Sequence, residues 1–251
     1  MRHWMILMLT TIIGVIGFST IDAAQTTVQP SASVLSRSRH YYLAHEDALL
    51  NLYDIDQGFQ TAFDSHNKVW VYDQTRQPPL AKSIRVAENN WNHALGKKVF
   101  VKGSKRHHTL VVKLTTNHQN QQSAEVAWWQ PLSQTVLIDQ NAYLGEKQTI
   151  SKYMKANVAR SGADDTTAVD SLIDASVANT ARQVEYARII THEFGHVLGL
   201  LHSKKATDLM YAGLSFTDIY QYAKVVQPQI WQNPLSKMDI NRGKLALKLI
   251  T

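Results

Sequence analysis

The chain contains no cysteine among its 251 residues. No disulfide can staple it, so its stability must come from core packing, hydrogen bonds and whatever it binds. Charge is also sparse: Asp, Glu, Lys and Arg together make up 18% of the sequence, with 26 basic against 20 acidic residues and a net charge of +6. The basic residues are scattered, with small clusters only at Lys97-Lys98, Lys102 to His108 and Lys204-Lys205. A nucleic-acid partner would need a coherent basic face, so that class is set aside. The charge implies no more than a weak attraction to anionic cell-surface polymers. Internal repeats are absent too, and a monomer is expected.

Long apolar runs are missing except near the start, where Met5 to Phe18 is interrupted only by polar Thr10 and Thr11. This run is shorter than the roughly 20 residues that cross a bilayer. Arg2 precedes it and Ala23-Ala24 follow, the basic, apolar, small-residue order of a secretory signal. Residues 1–24 are therefore expected to be a signal peptide, with an uncleaved N-terminal anchor as the alternative. The remainder is expected outside the cell or at its surface. Gln25 to Arg39 is polar and rich in Ser and Thr, as in disordered segments. Tyr41 to Phe63 carries enough apolar residues for a helix packing on another surface, Leu49, Tyr53 and Ile55 among them. Residues 25–66 thus read as a polar stalk, a pro-segment or an extension of the following domain. Residues 67–251 are long enough for one core.

Within that domain the hydrophobic pattern places the elements. Lys68 to Tyr72 and Leu110 to Leu114 are β-prone. Ile84, Ala87, Trp91 and Leu95 have helical spacing and predict a long helix over Leu80 to Leu95. Tyr153 to Val184 is polar and reads as a loop or helical insertion. Its Asp164, Asp165, Asp170 and Asp174 match no calcium-loop pattern and read as solvated or capping residues. Ser236-Lys237-Met238-Asp239 is a capping-box helix start leading into Ile240 to Leu249.

The densest chemistry lies in His192-Glu193-Phe194-Gly195-His196-Val197-Leu198-Gly199-Leu200-Leu201-His202. His192 and His196 share one helix face. Gly199 can adopt the left-handed conformation that ends the helix and turns the chain back toward His202. Three imidazoles suit a zinc ion whose fourth position stays open, as catalysis requires. Glu193 is rotated about 100° from His192, beside the metal rather than on it, which suits a general base. Ile189, Ile190, Phe194, Val197 and Leu198 on the same helix are ordinary core residues.

The run H-E-x-x-H-x-x-G-x-x-H with Met210 downstream resembles the metzincin zinc peptidases. Ser203 after the last His, and Asp208-Leu209-Met210-Tyr211, look most like the matrixin branch, the matrix metalloproteinase family. The resemblance implies His192, His196 and His202 as ligands of one catalytic Zn2+, Glu193 as base and Met210 as a turn residue that does not bind the metal. It implies an α+β zincin fold: a twisted mixed sheet, a long packing helix, an active-site helix, and a small C-terminal subdomain ending in a helix. Ala127-Trp128-Trp129 resembles the edge strand on which an extended substrate could lie, and Val136 to Asp139 the strand before the active-site helix. Adjacent strand residues face opposite ways, so at least one of the two Trp is expected simply to pack. The family also carries structural Ca2+ and a second Zn2+. His107, His108 and His118 have no trusted ligand spacing for the latter and read as surface residues. The family's thiol latch cannot exist without cysteine. Ser215 to Trp231 would form a wall of the pocket, and its apolar content suggests preference for an apolar side chain there. The implied activity is hydrolysis of protein or peptide substrates. Two alternatives stay open: a non-catalytic surface-binding module on the same fold, and a peptidase narrow for cell-wall peptides.

Overall fold

The computed structural model describes residues 27–116, 126–162, 166–213 and 217–250. Three short helices come first: α1 (Ala32–Leu35), α2 (Arg39–Ala44) and α3 (Glu46–Leu52). Strand β1 (Val69–Asp73) follows, then α4 (Pro78–Leu95) and the three-residue strand β2 (Phe100–Lys102). After β3 (Leu110–Thr115), β4 (Ala127–Gln130) and β5 (Thr135–Asp139) the rest is helical. That part comprises α5 (Gln140–Arg160), α6 (Thr166–Leu172), α7 (Ala178–Val197), α8 (Tyr222–Val225) and α9 (Lys237–Leu249).

The strands form one mixed sheet in the order β2-β1-β3-β5-β4. All neighbours are parallel except β4 and β5, which are antiparallel with Trp128 opposite Leu137. Strand β5 is buried at every position, as a strand flanked on both sides and covered on both faces must be. Strand β4 is the edge, and Pro131, which cannot donate to a ladder, follows its last residue. This is the expected α+β architecture with a helix at its end. Strand β2 has no counterpart in the sequence reading, because three residues are too few for alternation to show.

Helix α4 starts with Pro78, where a missing N–H costs nothing, and stops at Gly96 with φ 68°. It packs along α7, and its Trp91 is fully buried between them. The indole Nε1 donates to the Thr191 carbonyl at 2.7 Å, and Asn90 Nδ2 donates to Thr191 Oγ1 at 3.1 Å. The helix thus grips the residue just before His192.

The stretch 153–184 is helical rather than a loop over its described residues. Asp174 does not wait for calcium: it pairs with Lys155 at 2.5 Å and accepts from Ser151 at 2.6 Å. Asp164 and Asp165 lie outside the described residues. Ile150, Met154, Ile173, Val177 and Val184 form a second apolar cluster together with Ile219, Val225 and Ile230. The insertion therefore braces the expected pocket-wall segment against α7. Phe216 of that wall lies outside the described residues.

Residues 27–39 depart from the expected disordered character, and residues 41–63 pack on another surface as their apolar content predicts. Ser31 and Ser38 cap α1 and α2, and Tyr42, Leu49, Tyr53, Ile55 and Ala62 belong to the same buried core as Val69, Trp91 and Phe194. The segment is no flexible stalk, because its apolar side chains find a surface to cover on α9 and beside α7. Asp54, in the left-handed region at φ 51°, breaks the chain out of helix and into an extended run. The proposed signal, residues 1–24, lies outside the described residues. No described helix is long and apolar enough to cross a membrane.

Candidate metal centre

Helix α7 carries His192 and His196 one turn apart, and the chain reverses after Leu198 to return His202. Gly199 has φ 91°, and a Cβ there would lie 2.9 Å from the Asp56 carbonyl oxygen. Both the conformation and the contact demand glycine. The Leu200 N–H donates to the Gly195 carbonyl at 2.9 Å, closing the last turn.

The three imidazoles converge. His196 Nε2 lies 3.1 Å from His192 Nε2 and 3.3 Å from His202 Nε2. Two nitrogens bound tetrahedrally to one zinc at about 2.0–2.1 Å are about 3.3–3.4 Å apart. The geometry therefore fits zinc. The other ring nitrogens fit too: His192 Nδ1 donates to the Leu209 carbonyl at 2.7 Å and His196 Nδ1 to the Leu200 carbonyl at 2.6 Å. A carbonyl only accepts, so each Nδ1 carries the proton and each Nε2 keeps its lone pair for a metal. Burial, and secondarily the neighbouring imidazoles, hold His196 down at about 3. Burial likewise brings His192 to about 4 despite its bond to Leu209. Both rings are neutral at physiological pH, as ligands must be.

Glu193 is 6% exposed, on the same turn as His192. Met210 is fully buried and lies against Gly195, where a Cβ would come within 2.2 Å of its Sδ and 3.2 Å of Trp91. The Met210 loop is tied at both ends. Ser203 N–H donates to the Met210 carbonyl at 2.7 Å, and the Ser203 hydroxyl donates to Asp208 Oδ2 at 2.7 Å. Asp239 does two jobs: it completes the capping box of α9 and accepts from the Leu209 and Met210 N–H groups at 2.9 and 3.3 Å. The capping role was legible in the sequence. The second role was not, and neither was the need for Gly195.

On the edge strand, Ala127 and Trp129 are buried and Trp128 is half-exposed. Trp129 Nε1 donates to the Phe59 carbonyl at 3.1 Å, so this Trp packs and only Trp128 faces outward. Strand β4 also packs on α7, which sets it beside the imidazoles. His107 and His108 lie against the Trp70 and Tyr72 rings and join no ligand group, while His118 lies outside the described residues. Among the described residues, His192, His196 and His202 form the one group of three or more side chains able to hold an ion. A separate cavity of about 690 Å3, lined by Ile84, Arg85, Glu88 and Lys102, touches none of them. Converging donors identify the site better than volume does.

Comparison with known proteins agrees. A family model described as matrixin matches residues 36–227. Neither a curated protein nor a solved structure matches the chain.

Proposed function

The chain belongs to the matrixin family of zinc metallopeptidases, and on that premise we propose that it is a secreted endopeptidase acting on protein or peptide substrates. The observation that carries the reading is the convergence of three Nε2 atoms, two of them on rings whose Nδ1 protons are held by carbonyls, beside buried Glu193. His192, His196 and His202 would hold the zinc, which when bound supplies Lewis acidity toward a water and the scissile carbonyl. Glu193 then accepts the proton of the attacking water on a carboxylate oxygen. It passes that proton to the amide nitrogen as the C–N bond breaks. Strand β4 is the edge of the described sheet, where an extended substrate would add as a further strand beside Trp128. Export rests on the order of residues 1–24, and the absence of cysteine means that any latency uses a group other than a thiol.

The test is cleavage of an unfolded protein by residues 25–251, beside the Glu193→Ala variant. The parent should cleave, lose activity to a chelator and regain it with zinc. Glu193→Ala should bind zinc and lose activity by at least about two orders of magnitude. Equal activity in both would remove Glu193 from the mechanism. Zinc bound by both with cleavage by neither would favour a binding module or a narrower peptide substrate.

A further inference from the structure

Arg242 of α9 is the largest charged side chain that is fully buried, with no exposed surface at all. Taking a guanidinium out of water is costly unless its donors are used. Here two of the three nitrogens are used on backbone, while Nη1 is buried with no hydrogen-bond partner. Nε donates to the Tyr53 carbonyl at 2.8 Å, and Nη2 donates to the Asp54 carbonyl at 2.6 Å and the Leu201 carbonyl at 3.0 Å. The Asp54, Asp239 and Asp208 carboxylates offset part of the burial cost of its charge, while its hydrogen bonds all go to backbone carbonyls, so the fork serves chain geometry.

Those three carbonyls belong to two strands of one joint. Leu201 immediately precedes His202, the ligand that does not sit on α7. Tyr53 and Asp54 belong to the N-terminal segment. Leu201 N–H donates to the Asp54 carbonyl at 3.0 Å, Asp56 N–H to the Gly199 carbonyl at 2.8 Å, and Ile55 pairs antiparallel with Leu200. Gln60 Nε2 donates to the Leu198 carbonyl at 2.8 Å. Every residue from Leu198 to Leu201 is thus held by residues 54–60. Asp54 accepts its unfavourable φ of 51° at the point where Arg242 grips it.

We propose that Arg242, acting through the carbonyls of Tyr53, Asp54 and Leu201, is a positioning residue for His202, and that residues 53–60 are a permanent part of the metal centre. The proposal rests on the zinc reading given above. It has a regulatory consequence: any processing cut must fall before Tyr53, because removing the segment as far as Gln60 would release the third ligand.

The experiment measures zinc affinity by chelator competition on the full chain, in the parent, Arg242→Lys, His202→Ala and the double variant. Lysine keeps the charge but loses the fork. Arg242→Lys should weaken zinc binding about 10- to 100-fold, as loss of a ligand's support does. In the His202→Ala background the same change should cost less than about threefold, because the ligand it positions is gone. An unchanged affinity in Arg242→Lys, or an equal loss with and without His202, overturns the proposal. Hydrogen exchange on the parent gives a reading independent of how the variants fold. The Asp56 and Leu201 amides should be protected like those of α7 even without zinc, and free exchange there would overturn the proposal. A parent that binds no zinc would instead defeat the metallopeptidase reading, while the amides would still report whether the loop is held.

Discussion

At the residue scale, the site depends on side chains that are absent as much as on those that bind. Gly195 sits inside the H-E-x-x-H run, where Phe194 turns into the core and Gly195 leaves room for Met210 and Trp91. Sequence spacing treats both as filler. Alanine at 195 would improve helix propensity yet bring a methyl within 2.2 Å of Met210 Sδ. The overpacking should win, and Gly195→Ala should lose about 1–3 kcal/mol of stability. It should also lower turnover, since Leu209, which anchors His192, moves with Met210. Denaturant unfolding and steady-state kinetics check both, and a more stable, fully active variant would show that the loop relaxes freely.

At the element scale, helix α7 is held from both sides by unlike means. Trp91 and Asn90 of α4 bond Thr191 directly. On the other side α5 meets α7 through acids: Glu146 and Glu185 share a hydrogen bond, and Tyr220 donates to Glu146 at 3.4 Å. Burial, and then the nearby Glu146, push Glu185 up to about 8, with Arg188 pulling the other way. The folded state therefore holds a proton that the unfolded chain releases near 4.5. The stability this contributes is complete below that lower value and is lost as pH rises toward about 8. Glu185→Gln cannot lose it. Its melting temperature should pull above that of the parent as pH climbs through this window, and a constant gap would show that Glu185 is not the proton's holder.

On the scale of the whole molecule, a chain without disulfides should draw part of its stability from a metal held by the three imidazoles. The imidazole cluster joins α7, the Met210 loop and the N-terminal segment, so an ion there ties three parts of the chain. Removing zinc should lower the melting temperature by roughly 10 °C when free zinc stands about a thousandfold above its dissociation constant. An unmoved transition after chelation would mean that the ion adds nothing to the fold.

The chemistry was legible in the sequence because it is local. His192, Glu193 and His196 owe their relation to the rise and turn of one helix, and Gly199 announces the reversal by its own backbone freedom. The long helix α4, most of the strands and the capped final helix were legible for the same reason, since periodicity and capping act within a few residues. The sequence could not say which surface residues 41–63 cover, that Asp239 holds the Met210 loop, or that Arg242 grips Tyr53, Asp54 and Leu201. These contacts join residues 29 to 189 positions apart. Nothing periodic marks them, because a buried guanidinium or carboxylate finds its partner only when the folded chain brings a carbonyl or an N–H to it. The sequence alone determined which atoms can bind the metal. Tertiary structure decided what holds them there, because packing and buried hydrogen bonds exist only between surfaces that folding brings together.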